Sequence, residues 1–383
     1  MRIALDINGI LENSGLGNHI RMLVRGLASV DGENEYLLYL HQWHTEGLAA
    51  LDAALPKAPN FTLLKLRVPD LPLMFAEHRL GLRLTDRLLA SRGIDVFHGP
   101  ANLIPVTRLP TVLTMHHYVG PGHEFYHGSA PWRQKFYFSA TDSSIKLADH
   151  IITVSSHTRA DVLAAFGVPA DRVTAVLAGK PEIPPPAAGE AAAVRAKYRL
   201  PATFALFSGP LNERKNLAGF LKAFAAARGR APGLKLVVTG SGAPAFLAGI
   251  RALVSSLGLD ADVVFAGLVD RADLPGLYAA AEFLAYPSLF EGFGYPPLEA
   301  MICGAPVLAS DVTSIPEIVG DAGVIVDPRS ESSMAEGLVR LHSDPALRAA
   351  LTAKGRVQAA RFSWRRNAEE TVKIYRKVHD ARR

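Results

Sequence analysis

The sequence predicts an α/β protein built from two doubly wound, Rossmann-like domains facing a cleft. Three observations predict it. Short β-rich runs alternate with helix-length segments along the chain. A proline- and alanine-rich stretch, residues 179–190, divides that rhythm into two similar halves. Glycines collect at several strand-to-helix junctions, the end of a doubly wound sheet at which ligands bind.

In the first half, the strand-like runs are 3–7, 36–40, 61–66, 96–98, 111–115 and 150–154. Helical patterns cover 19–29, 79–92, 133–148 and 156–166. In the second half, the strand-like runs are 203–208, 235–239, 263–266, 283–286, 306–309 and 323–326. The helical patterns there are 217–228, 243–256, 274–280, 298–302 and 332–343. Residues 364–378 read as one further helix after the second domain is complete. The expected division is a first domain over 1–181, a linker over 182–190, a second domain over 191–362 and a C-terminal helix in 363–383.

With 49% hydrophobic and 20% charged residues, the 383-residue chain has a globular rather than a disordered composition. A single cysteine, Cys303, excludes an internal disulfide and fits a reducing compartment. No Cys/His cluster has metal spacing, so neither a metal nor another cofactor is expected. The apolar run at 3–7 contains Asp6 and reads as a strand rather than a leader. No run approaches the roughly 18–20 apolar residues that span a bilayer, so a cytoplasmic location is expected.

The net charge of +5 has one source. Residues 361–383 hold eight cations (Arg361, Arg365, Arg366, Lys373, Arg376, Lys377, Arg382, Arg383) against three acids (Glu369, Glu370, Asp380). This tail reads either as a solvated helix face with cations near its C-terminus or as a peripheral contact with anionic lipid at the inner face of the plasma membrane. No nucleic-acid-binding motif accompanies the charge, so nucleic acid is not an expected partner.

The densest chemistry lies in the ten residues from Glu291 to Ala300, with Gly292, Phe293, Gly294, Pro296, Pro297 and Glu299 between. The stretch reads as strand, glycine loop, helix, strand. The glycines let a ligand approach the backbone, and the prolines suit a first helical turn. The free N–H groups of that helix end favour an anion. Four other junctions carry candidates. Gly15 and Gly17 follow the first strand, and His98, His116 and His117 follow two later ones. Ser208, Gly209, Arg214 and Lys215 follow the first strand of the second half, where two cations would neutralise charge on a departing phosphate. Gly240, Leu268 and Val269 follow the next two.

The pair Glu291 and Glu299, set in E-G-F-G-x-P-x-L-E-A, resembles the signature of retaining GT-B glycosyltransferases of the mannosyltransferase-like group 1 type, family four. Residues 149–156 and 314–320 resemble two further patterns of that family. The resemblance implies that Glu291 contacts the donor sugar and Glu299 the ribose, with Gly292, Phe293 and Gly294 in the same loop. It places His116 beside the donor sugar, with His98 and His117 on the acceptor side. It gives Lys215 and Arg214 to the leaving diphosphate, and Ser208, Gly209, Gly240, Leu268 and Val269 to the nucleotide. Gly15 and Gly17 fall to the donor diphosphate or the acceptor. Two positions depart from the pattern. His117 replaces the usual Asp, which leaves the protonation of His116 open, and Pro210 stands where many members have Arg.

The expected activity is metal-independent hexosyl transfer with retention, most simply of mannose from GDP-mannose. The expected acceptor is a saccharide or a polyprenyl-linked saccharide of surface-polysaccharide or lipopolysaccharide assembly. A lipid-linked acceptor suits the basic tail and the apolar, partly basic segment 71–89, which reads equally as a packed helix. By the same resemblance, the C-terminal helix crosses back to the first domain.

Three other readings compete. A glycoside hydrolase using the two Glu is disfavoured, because eight positions on one helix separate backbones by roughly 12 Å whereas hydrolase carboxylates sit about 5–9.5 Å apart. A sugar-nucleotide epimerase of the same fold would convert the donor with no acceptor. A non-catalytic two-domain sugar-binding protein would bind free sugar and no nucleotide.

Overall fold

The computed structural model describes residues 1–12, 14–41, 48–118 and 131–382. The chain divides into two compact units, Met1–Gly179 with Ser363–Arg383, and Lys180–Phe362. The first contains β1 (Arg2–Asp6), β2 (Glu35–His41), β3 (Phe61–Leu66), β4 (Val96–Gly99), β5 (Thr111–Met115), β6 (His150–Thr153) and β7 (Val173–Ala175). The second contains β8 (Phe204–Ser208), β9 (Lys235–Thr239), β10 (Val263–Gly267), β11 (Phe283–Tyr286), β12 (Val307–Ser310) and β13 (Gly323–Val326).

All strand pairs are parallel. The sheet orders are β3-β2-β1-β4-β5-β6-β7 and β10-β9-β8-β11-β12-β13. Each sheet therefore reverses its winding once, between β1 and β4 and between β8 and β11. The crevice outside the carboxyl ends at such a reversal is where open α/β sheets hold ligands.

Every residue of β4, β5, β8, β11 and β12 is buried. This is why none of those runs alternates apolar with charged residues. Helices cover the faces with matched stripes. In helix Gly15–Val30, Ile20, Leu23, Val24 and Leu27 are buried, and in helix Leu217–Ala227, Leu217, Phe220, Leu221 and Phe224. Both sets follow the i, i+3, i+4, i+7 spacing of one helix face. Each such side chain contributes about 1.5–3 kcal/mol by leaving water.

Some elements differ from the sequence reading. The helix expected over 79–92 is shorter, Leu84–Ala90, and a separate helix, Asp70–His78, ends before it. Gly81 between them takes a left-handed φ of 66°, which no right-handed helix contains. Strand β7 was not anticipated, since three residues are too few to show a period. The second unit begins at Lys180, and Glu190 already opens a helix, Glu190–Lys197. That helix lies directly on helix Leu274–Ala280. A Cβ on Gly276 would sit 2.7 Å from Val194 Cγ2 and 2.9 Å from the Glu190 carbonyl.

The helix Trp364–Asp380 packs in the first unit. Gly26 of helix Gly15–Val30 lets it approach, its missing Cβ lying 2.9 Å from the Trp364 carbonyl. The indole of Trp364 fills the space that a Cβ on Gly179 would take, 2.4 Å away. Several tail cations are engaged within this unit. Arg376 pairs with Glu33 at 2.9 Å and Arg382 with Asp149 at 2.7 Å, while Lys377 donates to the Asp171 carbonyl at 2.7 Å. Among the described residues, no helix is long and apolar enough to cross a membrane.

A substitution at this helix contact tests the packing. Gly26→Ala inserts a methyl group against backbone at 2.9 Å. Overpacking of this kind costs about 1–3 kcal/mol. Urea unfolding followed by circular dichroism is expected to show a lower midpoint for the variant. An unchanged midpoint would mean that the two helices separate freely.

Candidate active site

In the second unit, the loops after β8 and β11 meet across the winding reversal. The β8 loop makes one short turn, Glu213–Lys215, closed by Asn216 at a φ of 61°. The β11 loop carries Glu291. Lys215 Nζ donates to Glu291 Oε1 at 2.5 Å, and Arg214 Nη1 donates to Oε2 at 2.7 Å. Tyr286, the last residue of β11, has its hydroxyl 2.6 Å from Lys215 Nζ and 2.8 Å from Glu291 Oε1. Arg214 also donates to the Phe290 carbonyl at 2.7 Å, and Leu289 N–H to the Arg214 carbonyl at 2.9 Å.

The cluster is nearly dry, with the Lys215 and Glu291 side chains 5% and 9% exposed. Burial raises the Glu291 carboxyl, but the charges of Lys215 and Arg214 outweigh it and bring the group to about 2. Glu291 is thus a firm anion and a weak base. Two cations face one carboxylate, so the three ionised groups carry a net positive charge at the ligand end of the sheet, which suits an anion.

The backbone around the cluster is pinned by Thr313 and by Ser314, which opens the pattern at 314–320 but carries no assigned role in the sequence reading. Ser314 Oγ lies 3.0 and 2.8 Å from the carbonyls of Glu291 and Phe293, which share its one proton, and Glu291 N–H donates to Thr313 Oγ1 at 3.1 Å. Gly292 is half-buried in this loop. Phe293 turns into the packing, its ring 5.0 Å from Tyr295 and 5.8 Å from Phe362. Gly294, with a φ of 109°, precedes helix Tyr295–Cys303, whose first turn holds Pro296 and Pro297. Glu299 lies in that helix and accepts from the Tyr278 hydroxyl at 2.8 Å. Burial raises the Glu299 carboxyl above its ordinary value, against that hydrogen bond and Arg271.

Ser208 ends β8, followed by Gly209 at a φ of 136°. A Cβ on Gly240 would collide with the Gly209 carbonyl at 1.8 Å, so that glycine is required by the approach of two strand-end loops. Leu268 and Val269 follow β10. Leu268 is 74% exposed, an apolar side chain presented to solvent at the ligand end of the sheet.

The remaining predicted residues lie in the first unit. Gly15 opens helix Gly15–Val30. The Gly17 amide donates to Ser14 Oγ at 3.1 Å, and a Cβ there would lie 2.3 Å from the Glu12 carbonyl. Glycine at 17 is therefore required by the loop's own fold.

The expectation that His98 reaches a ligand is corrected. Its side chain is fully buried, with Nδ1 2.6 Å from the Tyr375 hydroxyl and Nε2 2.8 Å from Thr114 Oγ1. Both ring nitrogens are spent on protein groups, and the residue joins the C-terminal helix to the sheet. His116 is half-buried and His117 exposed. His116 Nε2 is 2.8 Å from the Pro100 carbonyl, so that nitrogen carries the proton. Its main chain is held by Asn102, whose Oδ1 accepts the His116 N–H at 2.7 Å.

Burial pushes His116 down to about 4, against the Pro100 hydrogen bond, with His117 lowering it further. Burial and the neighbouring His116 push His98 down to about 3. His19, to which the sequence reading assigned no role, sits edge-on to His116 at 4.6 Å and to Trp364 at 5.0 Å. Among the described residues, no group of three or more His, Cys, Asp or Glu side chains is placed to hold a metal ion.

These features define a two-unit, doubly wound α/β protein with a basic cluster around one carboxylate at the winding reversal of its second sheet. The family model described as glycosyl transferases group 1 matches residues 193–358, and that described as glycosyltransferase family 4 matches residues 13–179. The O-antigen chain mannosyltransferase B of Escherichia coli is 34% identical over 73% of this chain and 74% of its own length. A serotype-specific mannosyltransferase, WbdA of E. coli, is 31% identical over 65% of this chain, a match spanning 31% of that protein.

Among solved structures, sucrose-phosphate synthase from Thermosynechococcus elongatus superimposes with a TM-score of 0.74 at 22% identity, covering 100% of both chains. Anabaena HepE in complex with UDP and glucose superimposes with a TM-score of 0.74 at 16% identity, covering 98% of this chain and 100% of that one. At these identities the structures establish the fold. The chain belongs to the group 1 glycosyltransferases of GT-B fold.

Two outcomes follow for the clusters. Glu291→Gln leaves two adjacent cations without a counter-ion, a change that costs about 3–5 kcal/mol in a buried pair. Thermal unfolding is expected to show the loss, and added diphosphate to recover part of it; no recovery would mean that the cations do not face an anion site. His98 and His116 have folded-state values of about 3 and about 4, below the ordinary 6.5. The unfolded chain therefore binds more protons in that window, and stability falls as pH drops from 6.5 toward those values. Each group contributes about 1.4 kcal/mol per pH unit there. Urea midpoints between pH 7 and pH 4 are expected to decline, less steeply in His98→Gln.

Proposed function

We propose that this protein transfers a mannosyl group from GDP-mannose to a saccharide or lipid-linked saccharide acceptor in surface-polysaccharide synthesis, with retention at the anomeric carbon and without a metal ion. The observation that carries the reading is the engagement of Glu291 by Lys215, Arg214 and Tyr286. The choice of mannose is supported by the names of the E. coli relatives.

In this reading, Lys215 and Arg214 face the diphosphate and stabilise the charge that grows on it as the bond from the anomeric carbon to the phosphate oxygen breaks. Glu291, with both carboxylate oxygens already accepting hydrogen bonds, is a poor nucleophile. That supports a route with no carboxylate adduct. The acceptor hydroxyl bonds to the anomeric carbon on the face the phosphate leaves, and its proton passes to the departing phosphate oxygen. Glu299, held by Tyr278, takes the ribose.

A lipid-linked acceptor is supported by the first unit's surface rather than by the C-terminal tail. Phe75, Leu80, Leu82 and Leu84 are exposed in the stretch that also carries the exposed cations Arg79 and Arg87. Arg376, Lys377 and Arg382 of the tail are engaged within the first unit.

Calorimetric titration with GDP, UDP, GDP-mannose and UDP-glucose is expected to show binding of the guanosine series alone, lost in Lys215→Ala and Glu299→Ala. Binding of the uridine series alone overturns the donor assignment. Retention of binding by both variants overturns the site. The anomeric configuration of the product, read by NMR coupling constants, is expected to match that of the donor, and inversion overturns the route.

A further inference from the structure

The β11 terminus contains a group that the reaction scheme above does not use. Tyr286 is 3% exposed, and its hydroxyl lies between the two oppositely charged members of the Lys215–Glu291 pair. Its hydrogen-bond directions are forced. An ammonium only donates and an ionised carboxylate only accepts, so the phenol accepts from Lys215 and donates to Glu291. Burial, followed by the Glu291 charge, raises the phenol well above its ordinary value, so its proton stays in place. The three groups form a closed triangle with sides of 2.5, 2.6 and 2.8 Å.

We propose that Tyr286 is the positioning residue of this site: by accepting from Lys215 and donating to Glu291, it holds the ammonium in one orientation with a single N–H left for the departing phosphate. The proposal rests on the reading of Lys215 as the leaving-group cation. Lys215 has three N–H groups, and the bonds to Glu291 and Tyr286 occupy two. Without the phenol, the flexible lysine stem would let the ammonium swing about its single bond to Glu291. A preorganised donor would become one that must reorient as charge develops. The ring itself packs beside the ammonium, with Nζ 4.6 Å from its centroid. Tyr286→Phe keeps that contact and removes the hydroxyl that bonds Lys215 and Glu291.

Burial holds the Lys215 ammonium below its ordinary value; the charge of Glu291 opposes that shift and the charge of Arg214 adds to it. The phenol oxygen is the neutral acceptor for the ammonium, so its loss disfavours the protonated lysine. The alkaline limb of the kcat profile is then expected to move to lower pH, which a change in packing alone would not produce.

The experiment uses the full chain, with nucleoside diphosphate titration and steady-state kinetics against pH for Tyr286→Phe and Lys215→Ala. The expected result for Tyr286→Phe is nucleotide affinity near that of the parent, a kcat lower by about ten- to a hundredfold as for a misplaced catalytic group, and the shifted alkaline limb. Unchanged kcat and pH profile in Tyr286→Phe, together with a large loss in Lys215→Ala, overturn the proposal alone. Unchanged turnover in Lys215→Ala overturns the leaving-group reading and the proposal with it. Site-specific fluorotyrosine at 286 serves if Tyr286→Phe does not fold. It retains the hydroxyl but weakens it as an acceptor, so kcat is expected to fall and the alkaline limb to move in the same direction; an unaltered profile overturns the proposal.

Discussion

The second unit is organised around one buried counter-ion. Glu291 neutralises part of the charge of Lys215 and Arg214, and without it the two cations could not lie side by side at so little exposure. The same carboxylate joins two loops more than seventy residues apart, the one after β8 and the one after β11. Ser314 and Thr313 then hold the backbone that presents it. A ligand-binding end made of loops is thereby given some of the rigidity of the strands beneath. That is a condition for electrostatic catalysis, in which the charges must be in place before the reaction begins.

The first unit solves a related problem with neutral groups. His98, His116 and His19 are gathered at the carboxyl edge of its sheet, and burial keeps them uncharged. Their neighbours include Trp364 and Tyr375, both from the C-terminal helix. The last helix of the chain is therefore part of the wall behind His116. Its basic side chains serve the same attachment, since Arg376, Lys377 and Arg382 reach acids or carbonyls of the first unit.

Much of the fold is legible locally. Strands buried on both faces must be short apolar runs, and helices over them must show one apolar stripe. A run such as Phe283–Tyr286 follows from that rule with its ends correct. The failures have local causes too. Gly81 delays the start of the helix expected over 79–92, and β7 is shorter than any period. In the site, Arg214, Lys215 and Glu291 are legible as charged residues at glycine-rich junctions, and the structure brings them within hydrogen-bond distance. Tyr286 is not legible, because an aromatic residue closing a buried strand looks like core. His98 misleads for the converse reason. A histidine at a strand end looks available, and only the hydroxyl of Tyr375, 277 positions away, shows that it is not.

The sequence by itself determined the class of fold, the two-part organisation and the kinds of side chain gathered at the ligand ends. Each of these depends on composition and spacing within a few dozen residues. The tertiary structure alone decided which charges neutralise one another, which histidines are closed off, and which contacts seat the chain's last helix in its first unit. Those outcomes depend on burial and on partners brought together from distant segments, and neither is encoded in the spacing of any one segment.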